Sequence, residues 1–386
     1  MKIVIAPDSF KGSLSAIEAA RAIEGGIKKA FPDAKTLCIP VADGGEGTLE
    51  TLVAATNGKK VPVNVTGPIG QKVEAEYGIL GDGKTCVIEM AKASGIPLIP
   101  REELNPLKAT TFGTGELIKQ ALDDGFASFI LALGGSATND GGAGMLQALG
   151  LSLLDEQGNK ICTGGAELTK ISSIDLSEFD ERIPYCKFLI ASDVENPLIG
   201  PHGASHVFGP QKGATPQMVK ILDASLAHWA DEVEKVTGVH LHDLPGAGAA
   251  GGIGGAFQAF FPSQMKRGID VVIEHTGLHT ALEGADLVIT GEGQVDFQTA
   301  SGKTPMGVAQ AAKIQNIPTV IVAGSIGTGI DVLYQHGIVS VSSIINKPMT
   351  LNEAIKNAAE LLAESAEQVV RSFFYHQTLN SGKVVR

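Results

Sequence analysis

The sequence predicts an α/β protein in which a doubly wound parallel-sheet domain carries an inserted second α/β domain with antiparallel hairpins. Three observations predict this fold. Apolar strand-like runs alternate with helical periodicity near both ends of the chain, residues 61–88 alternate apolar and polar side chains instead, and several strand-like runs end in a carboxylate among small residues. The 386 residues are enough for two domains. We expect one domain at 1–60 plus 275–386 and the other at 61–274, with the active site in the cleft between them.

The N-terminal residues predict a β-α-β unit. Lys2–Ala6 has the pattern of a buried strand, Ser15–Ala30 that of an amphipathic helix, and Thr36–Val41 that of a second strand. Ser15 and Glu18 have the spacing of a capping box, which places the start of the helix.

The middle of the chain changes pattern. Val61–Ile88 predicts antiparallel hairpins, with turns at Gly67–Pro68 and Gly81–Gly83. Helix and strand patterns then alternate through Glu116–Gly150 and Phe188–Ala191. The C-terminal part restores the parallel pattern, with strand Asp286–Thr290, helix Pro305–Gln315, strands Thr319–Ala323 and Ile338–Ser342, and one long helix Leu351–Tyr375.

Composition limits the classes of function. The net charge of −12 argues against nucleic acid and anionic membrane surfaces as partners. No apolar run is long enough to span a bilayer, and proline and aspartate interrupt Met1–Phe10 too early for a signal peptide. The four cysteines have no paired spacing, and the pairs His240/His242 and His275/His279 lack a completing Cys or Glu, so no metal site is expected there. We expect a cytoplasmic protein with reduced thiols, and the oligomeric state stays open.

Phe129–Gly150 is the most informative segment. In FILALGGSATNDGGAGMLQALG, an apolar strand-like run breaks into a loop of glycines, hydroxyls and one carboxylate before a helix-like run begins. Backbone N–H groups of glycines can approach a phosphate closely, and a helix starting near Gly142 would direct its positive end at an anion. The predicted phosphate-binding residues of this loop are Gly134, Gly135, Ser136, Thr138, Gly141 and Gly142.

Other strand-like runs also end in carboxylates, namely Asp8, Asp43, Asp193, Glu292 and Asp296. Ligands of open α/β sheets bind beyond the carboxyl ends of the strands, so these endings predict one carboxylate-lined crevice suited to a magnesium nucleotide. A right-handed crossover brings the ends of the first two strands to one edge, so Asp8 and Asp43 should lie near each other.

Three lysines lie beside these endings: Lys11, Lys212 and Lys303. In an acidic protein, such a lysine is commonly part of a weak surface ion pair. At the carboxyl ends of strands, however, a carboxylate substrate and a triphosphate both need cations. The lysines are therefore candidate ligands of anionic groups.

Two further motifs are weak. Ser301–Thr304 reads SGKT, the end of a phosphate-binding loop, but Phe297 stands where that motif requires glycine. Gly246–Gly251 reads GAGAAG and matches the dinucleotide-binding pattern, yet no convincing strand precedes it. An NAD-dependent hydroxy-acid oxidoreductase is therefore the less favoured alternative.

A series of long motifs runs from Ala6 to Asp296: APDSFKGSLSA, VADGGEGT, FGTGELI, GGSATNDGGAGM, SDVENPL, FGPQKGA, PGAGAAGG and ITGEGQVD. In this order, over nearly the whole chain, they resemble the bacterial type I glycerate kinases. The resemblance implies a Rossmann-like domain with an inserted α/β domain, and ATP-dependent phosphorylation of D-glycerate at the 2-hydroxyl. Gly12 and Gln294 depart from the family pattern, which has acidic residues and arginine there. If that arginine holds phosphate, Lys303 or Lys11 must supply the charge here.

Residue chemistry then assigns roles within a kinase site that uses ATP and Mg²⁺. The predicted roles are catalysis for Asp8, Lys11 and Asp193, substrate binding for Asp43 and Lys212, phosphate binding for Glu292, Lys303 and the loop residues above, and Mg²⁺ ligation for Asp193 and Asp296. Phosphorylation of the 3-hydroxyl and a nucleotide sensor without turnover stay open as alternatives.

Overall fold

The computed structural model describes residues 1–297, 299 and 303–375. The chain divides into two compact units, unit 1 with Met1–Asp43 and Ile269–Arg386, and unit 2 with Gly44–Gly268. The sequence-based division lies at 60 and 275. Residues 44–60 group with unit 2 because the helix at Thr48–Ala55 packs on three strands of that unit. The predicted interdomain location of the active site stays a prediction.

Strands and helices alternate along most of the chain. Among the described residues the strands are β1 Lys2–Ile5, β2 Lys35–Cys38, β3 Lys59–Thr66, β4 Lys72–Ile79, β5 Thr85–Glu89, β6 Ser128–Ala132, β7 Ser152–Leu154, β8 Ser173–Asp175, β9 Lys187–Ala191, β10 Ser263–Lys266, β11 Leu287–Val295, β12 Thr319–Ile326 and β13 Ile338–Ser343. The α-helices are α1 Ala16–Ala30, α2 Thr48–Ala55, α3 Ala91–Ser94, α4 Phe112–Asp123, α5 Ala143–Ala148, α6 Ala204–Phe208, α7 Pro216–Thr237, α8 Ile253–Phe260, α9 Gly268–Thr276, α10 Leu278–Leu282, α11 Thr304–Ile314, α12 Leu351–Lys356 and α13 Ala358–Phe373.

Unit 1 contains a parallel five-stranded sheet in the order β13-β12-β11-β1-β2. The two ends of the chain meet in it, because Ile3 of β1 is paired with Leu287 of β11. The predicted parallel α/β fold is therefore confirmed. Crossover helices cover the sheet, and α1 packs against α13 so closely that Gly26 has no room for a side chain.

The capping box of α1 is present as predicted. The Glu18 N–H donates to Ser15 Oγ at 3.2 Å, and the Ser15 N–H donates to Glu18 Oε2 at 2.9 Å. These bonds satisfy two backbone donors that an uncapped helix start would leave without partners.

Two C-terminal elements differ from the prediction. The single helix expected at Leu351–Tyr375 is interrupted between α12 and α13, because Asn357 leaves helical geometry and its side chain donates to the Glu353 carbonyl. Strand β11 also runs past the expected end at Thr290 to Val295, since it keeps pairing with β12. Glu292 therefore lies within a strand.

Unit 2 contains a mixed six-stranded sheet in the order β10-β9-β6-β5-β4-β3. The pairs β3-β4 and β4-β5 are antiparallel, which confirms the predicted hairpins, whereas β5, β6, β9 and β10 are parallel. Apolar side chains fill the space between this sheet and its helices, with Phe129 stacked on Phe188 at 4.7 Å between ring centroids. No helix in the described part of the chain is long and apolar enough to cross a membrane.

The contact between α1 and α13 predicts opposite effects for two adjacent glycines. A Cβ at Gly26 would lie 2.0 Å from the Ala363 carbonyl oxygen, whereas a Cβ at the exposed Gly25 would meet no atom within 4 Å. Gly26→Ala should therefore lower the free energy of unfolding by about 1–3 kcal/mol, as overpacked sites do. Gly25→Ala, the matched control, should raise it by about 0.5–1 kcal/mol through helix propensity. Thermal denaturation of both variants checks this, and equal melting temperatures would contradict the packing described.

Candidate active site

Unit 1 holds a cluster of three carboxylates, Asp8, Asp43 and Glu292, here called the carboxylate cluster. Asp8 follows β1, and its N–H donates to the carbonyl of Gly291 in β11 at 2.8 Å. Its carboxylate accepts hydrogen bonds from the Ser9 N–H and from Thr304 Oγ1, each at 2.6 Å. The end of β1, the neighbouring strand and the first turn of α11 thus fix the position of this side chain.

The carboxylate cluster is electrostatically crowded. Burial and, to a smaller extent, the charges of Asp43 and Glu292 together raise the pKa of Asp8 to about 7, against the lowering effect of the two hydrogen bonds. Burial likewise raises the pKa of Glu292 to about 7, opposed by the Thr299 hydroxyl, which donates to it at 2.8 Å, and by Lys303 and Lys11. As predicted from the crossover, Asp43 is close enough to Asp8 to perturb its pKa. This crowding attracts a cation.

Lys11 also lines a pocket of about 390 Å³ in unit 1. The pocket wall is largely apolar, with Phe10, Ile344 and Met349, and includes Gly293 of β11. The Lys11 side chain is exposed. Lys11 therefore lies at the edge of an apolar pocket, and its positive charge is close enough to Glu292 to lower the pKa of that carboxylate.

Asp296 lies just after β11, in the same unit. Its carboxylate accepts from Gln294 Nε2 at 3.3 Å, and its N–H donates to Thr299 Oγ1 at 3.2 Å. Ser301 and Gly302 of the SGKT motif lie outside the described residues. Lys303 is the N-cap residue of α11, as its predicted position in a helix-opening turn requires.

In unit 2, the glycine-rich loop joins β6 to α5, as predicted. Three of its backbone donors, however, bond within the protein: Gly134 to the Gly44 carbonyl, Gly141 to the Gly251 carbonyl, and Gly142 to Asp140 Oδ1. They are not open to a phosphate in this conformation. Helix α5 is also only six residues long. The anion site predicted at this helix N-terminus stays a prediction, and these three N–H groups have partners within the protein.

The group that occupies the start of α5 is the carboxylate of Asp140, which the sequence analysis did not select. Asp140 is fully buried, and its Oδ2 accepts from the Thr111 N–H at 2.8 Å, the Thr111 hydroxyl at 2.9 Å and the Gly144 N–H at 3.3 Å. Burial raises its pKa, and these hydrogen bonds oppose the rise. A carboxylate held this way stabilises the loop much as a bound anion would.

Lys212 is the buried cation beside this loop. Only 1% of it is exposed, and Nζ donates to Ser136 Oγ at 2.9 Å and to the Thr138 carbonyl at 2.6 Å. Burial lowers the pKa of Lys212 to about 7, and the charge of Asp140 opposes this effect. The Thr138 hydroxyl is buried without a hydrogen-bond partner among the described residues. Lys212 thus contacts two of the predicted loop residues, Ser136 and Thr138.

Asp193 follows β9 in unit 2, as predicted, and its side chain is exposed. Its Oδ1 accepts from the Gly268 N–H at 2.9 Å. The predicted catalytic and metal-binding roles of Asp193, and that of Asp296 as a metal ligand, stay predictions.

Glu89, at the end of β5, is a further buried carboxylate that was not among the predicted site residues. It is 1% exposed, and its Oε2 accepts from the Gly47 and Leu49 N–H groups at the start of α2, at 3.1 and 3.2 Å. Its Oε1 is buried without a partner among the described residues, and burial raises its pKa to about 6. The signal was present, because the apolar run Thr85–Glu89 ends in a carboxylate like the other selected runs.

Comparison with known proteins decides the family. A sequence model of the Glycerate kinase family matches residues 3–374. The chain belongs to the glycerate kinase family. It is 52% identical to a glycerate kinase from Bacillus subtilis over 379 residues, which cover 98% of this chain and 99% of the relative. It is 50% identical to the glycerate 2-kinase of Escherichia coli K12, over 96% of this chain and 97% of the relative.

A crystal structure agrees with this membership of the glycerate kinase family. The chain assigned as glycerate kinase 2 from Salmonella typhimurium LT2 is 50% identical, has a TM-score of 0.85, and aligns with 98% of this chain and 99% of its own length. The GAGAAG segment of this glycerate kinase family member follows a turn, and Gly251 packs against the Thr138 carbonyl. Its glycines therefore serve close packing, which does not favour the nicotinamide alternative.

The carboxylate cluster predicts a pH dependence of stability. Unfolded carboxyl groups lose their protons near pH 4, whereas folded Asp8 and Glu292 retain them to about pH 7. The folded state binds more protons in this window, so stability should fall as the pH rises from about 4 to about 7. Asp8→Asn removes one of these charges. Its free energy of unfolding should exceed that of wild type by about 1–3 kcal/mol at pH 7.5 and differ little at pH 4.

Thermal denaturation in EDTA at both pH values measures this, since divalent cations would mask the repulsion. Glu364→Gln, which alters an exposed carboxylate elsewhere in unit 1, is the control. If Asp8→Asn and wild type differed in stability by the same amount at both pH values, the proposed charge repulsion in the carboxylate cluster would be contradicted.

Proposed function

We propose that this protein transfers the γ-phosphoryl group of ATP to the 2-hydroxyl of D-glycerate, giving 2-phosphoglycerate and ADP, with Mg²⁺ as cofactor. Membership of the glycerate kinase family supports the reaction, and the relative from Escherichia coli, named glycerate 2-kinase, supports the position. The observation that carries the proposal is the carboxylate cluster with Lys11 and Lys303 beside it, because these groups suit a magnesium nucleotide.

The residues of the carboxylate cluster fit Mg²⁺. The ion prefers oxygen ligands, and carboxylates are its usual protein ligands. Burial is the main cause of the raised pKa values of Asp8 and Glu292, and the charge of Asp43 adds to both. A divalent cation would neutralise these neighbouring carboxylates. We assign Asp43 and Glu292 to hold the ion. When bound, Mg²⁺ supplies positive charge to the phosphate oxygens.

Asp8 is our candidate base. Its pKa of about 7 lies near physiological pH, where a general base is most effective. Hydrogen bonds from Thr304 and Ser9 fix the direction of its carboxylate. In the proposed step, the glycerate hydroxyl gives its proton to Asp8 as its oxygen bonds to the γ-phosphorus, and the bond from phosphorus to the ADP oxygen breaks.

The pocket beside Lys11 is the candidate site for the nucleotide base. Its apolar wall, with Phe10, Ile344 and Met349, suits the face of a purine, and its edge carries the lysine that the triphosphate requires. Lys303 is the second candidate for the phosphates, since its charge already acts on Glu292. Lys11 and Lys303 also compensate for glutamine at position 294.

We assign the glycine-rich loop of unit 2 to an anionic group of the substrate, bound through side chains rather than the backbone. Ser136 and Lys212 are hydrogen-bonded to each other, and the buried hydroxyl of Thr138 lacks a partner among the described residues. Lys212 supplies the charge that a glycerate carboxylate needs. The backbone bonds of Gly134, Gly141 and Gly142 keep the loop in place.

The product identifies the reaction. We expect Mg-ATP and D-glycerate to give 2-phosphoglycerate, as identified by ³¹P and ¹³C NMR. Coupling to enolase without a mutase provides the control, because only 2-phosphoglycerate is dehydrated directly. Exclusive 3-phosphoglycerate would overturn the position, and no phosphorylated product would overturn the activity. NADH fluorescence that changes on mixing would favour the oxidoreductase alternative.

Lys11→Ala tests the phosphate contact. A charged hydrogen bond contributes about 1.5–3 kcal/mol, so kcat/KM for ATP should fall about 10- to 150-fold with an unchanged melting temperature. Lys356→Ala removes another exposed lysine of unit 1 and should have wild-type kinetics. A folded Lys11→Ala protein with wild-type kcat/KM would place Lys11 on the surface without a role.

A further inference from the structure

We propose that Glu234, His240 and His242 form a binding site for one divalent transition metal ion of the Zn²⁺ class. One ligand atom from each residue lies within 4.8 Å of the others. All three residues belong to unit 2, whereas the carboxylate cluster belongs to unit 1. The site therefore differs from the one proposed for Mg²⁺.

The chain forms this cluster at the end of α7. Gly238 adopts a left-handed conformation with φ of 73°, and its N–H donates to the Glu234 carbonyl at 2.9 Å. The chain turns back there and places His240 and His242 beside the last turns of the helix. The two imidazole rings are stacked at 4.5 Å between centroids, with 21° between planes. His240 Nδ1 lies 2.8 Å from Glu234 Oε2.

His242 has the surroundings of a metal ligand. Its Nε2 lies 3.1 Å from Asp231 Oδ1, while its Nδ1 is buried and has no hydrogen-bond partner among the described residues. A carboxylate that accepts from one ring nitrogen leaves a lone pair on the other, which is the arrangement found behind metal-bound histidines. The backbone is anchored too, because the His242 carbonyl accepts from Leu198 and Ile199 at 3.2 and 3.4 Å.

The donor set selects the class of metal. Two imidazole nitrogens and one carboxylate oxygen favour Zn²⁺, Co²⁺, Ni²⁺ or Cu²⁺, whereas Mg²⁺ and Ca²⁺ prefer oxygen alone. The side chains of Glu234 and His240 are 45% and 56% exposed, so an ion can enter from solvent and keep a water ligand. A bound ion would join the end of α7 to the segment that follows it and would stabilise unit 2.

Co²⁺ tests the site, because its visible absorption reports the number and geometry of its ligands. The untagged full chain, freed of metal with a chelator, should bind one equivalent of Co²⁺ with d–d bands typical of four or five ligands, and Zn²⁺ should displace it. Zn²⁺ should also raise the melting temperature. His240→Ala and His242→Ala should each abolish the bands, whereas His202→Ala, which changes an exposed histidine of unit 2, should not.

Asp231→Asn gives an independent readout. As the group behind a ligand, Asp231 should contribute to affinity without binding the ion, so the variant should bind Co²⁺ about 10- to 100-fold more weakly. Melting curves without metal establish that each variant is folded. Wild-type protein without d–d bands, or folded His240→Ala and His242→Ala proteins that bind Co²⁺ as tightly as wild type, would overturn the proposal and leave the cluster as an ion-pair network.

Discussion

The parallel pairing of β1 with β11 is the constraint on which unit 1 depends. It joins segments 284 residues apart, with Ile3 opposite Leu287, and the pairing continues beyond β1 in the bond from the Asp8 N–H to the Gly291 carbonyl. Asp8 and Glu292 are brought together as a direct result. Such a contact carries a high cost in chain entropy, which burial of the sheet between its helices must offset. The same packing desolvates the carboxylates and raises their pKa values.

In unit 2, one buried carboxylate and one buried lysine hold the glycine-rich loop through hydrogen bonds. Asp140 receives the backbone donors at the start of α5, and Lys212 donates to Ser136 and to the Thr138 carbonyl. Both groups are buried, and the charge of Asp140 opposes the lowering of the Lys212 pKa by burial. Carboxylates thus crowd together in unit 1, whereas Asp140 and Lys212 of unit 2 each have hydrogen-bond partners within the protein. This difference makes the carboxylate cluster the stronger candidate for the nucleotide and its metal.

Local and periodic features were predictable from the sequence. The capping box at Ser15, the hairpins of 61–88 and the proximity of Asp8 to Asp43 follow from spacing and from the handedness of crossovers. Features that depend on distant partners were not. The extension of β11 requires its pairing with β12, and the break at Asn357 depends on a side-chain bond that competes with the helix.

In the candidate site, too, local features were predictable and features that depend on distant residues were not. Composition identified the glycine-rich loop, yet it could not show that Asp140 already occupies the donors at the start of α5. The histidines at 240 and 242 lacked a third ligand in the local pattern, because Glu234 comes from the preceding helix through a left-handed turn. Glu89 is different, because the pattern that indicates it, an apolar run ending in a carboxylate, is present in the local sequence.

The kcat of Asp8→Asn at saturating Mg-ATP and D-glycerate tests the central claim that the carboxylate cluster is the catalytic centre. Asparagine keeps the volume of the side chain, its Oδ1 can accept from the Ser9 N–H and its Nδ2 can donate to the Thr304 hydroxyl, but it cannot take a proton from the substrate. The account predicts a fall in kcat of about 10²- to 10⁴-fold in a protein at least as stable as wild type at pH 7.5. A folded Asp8→Asn protein that retains more than about a tenth of the wild-type kcat would contradict it.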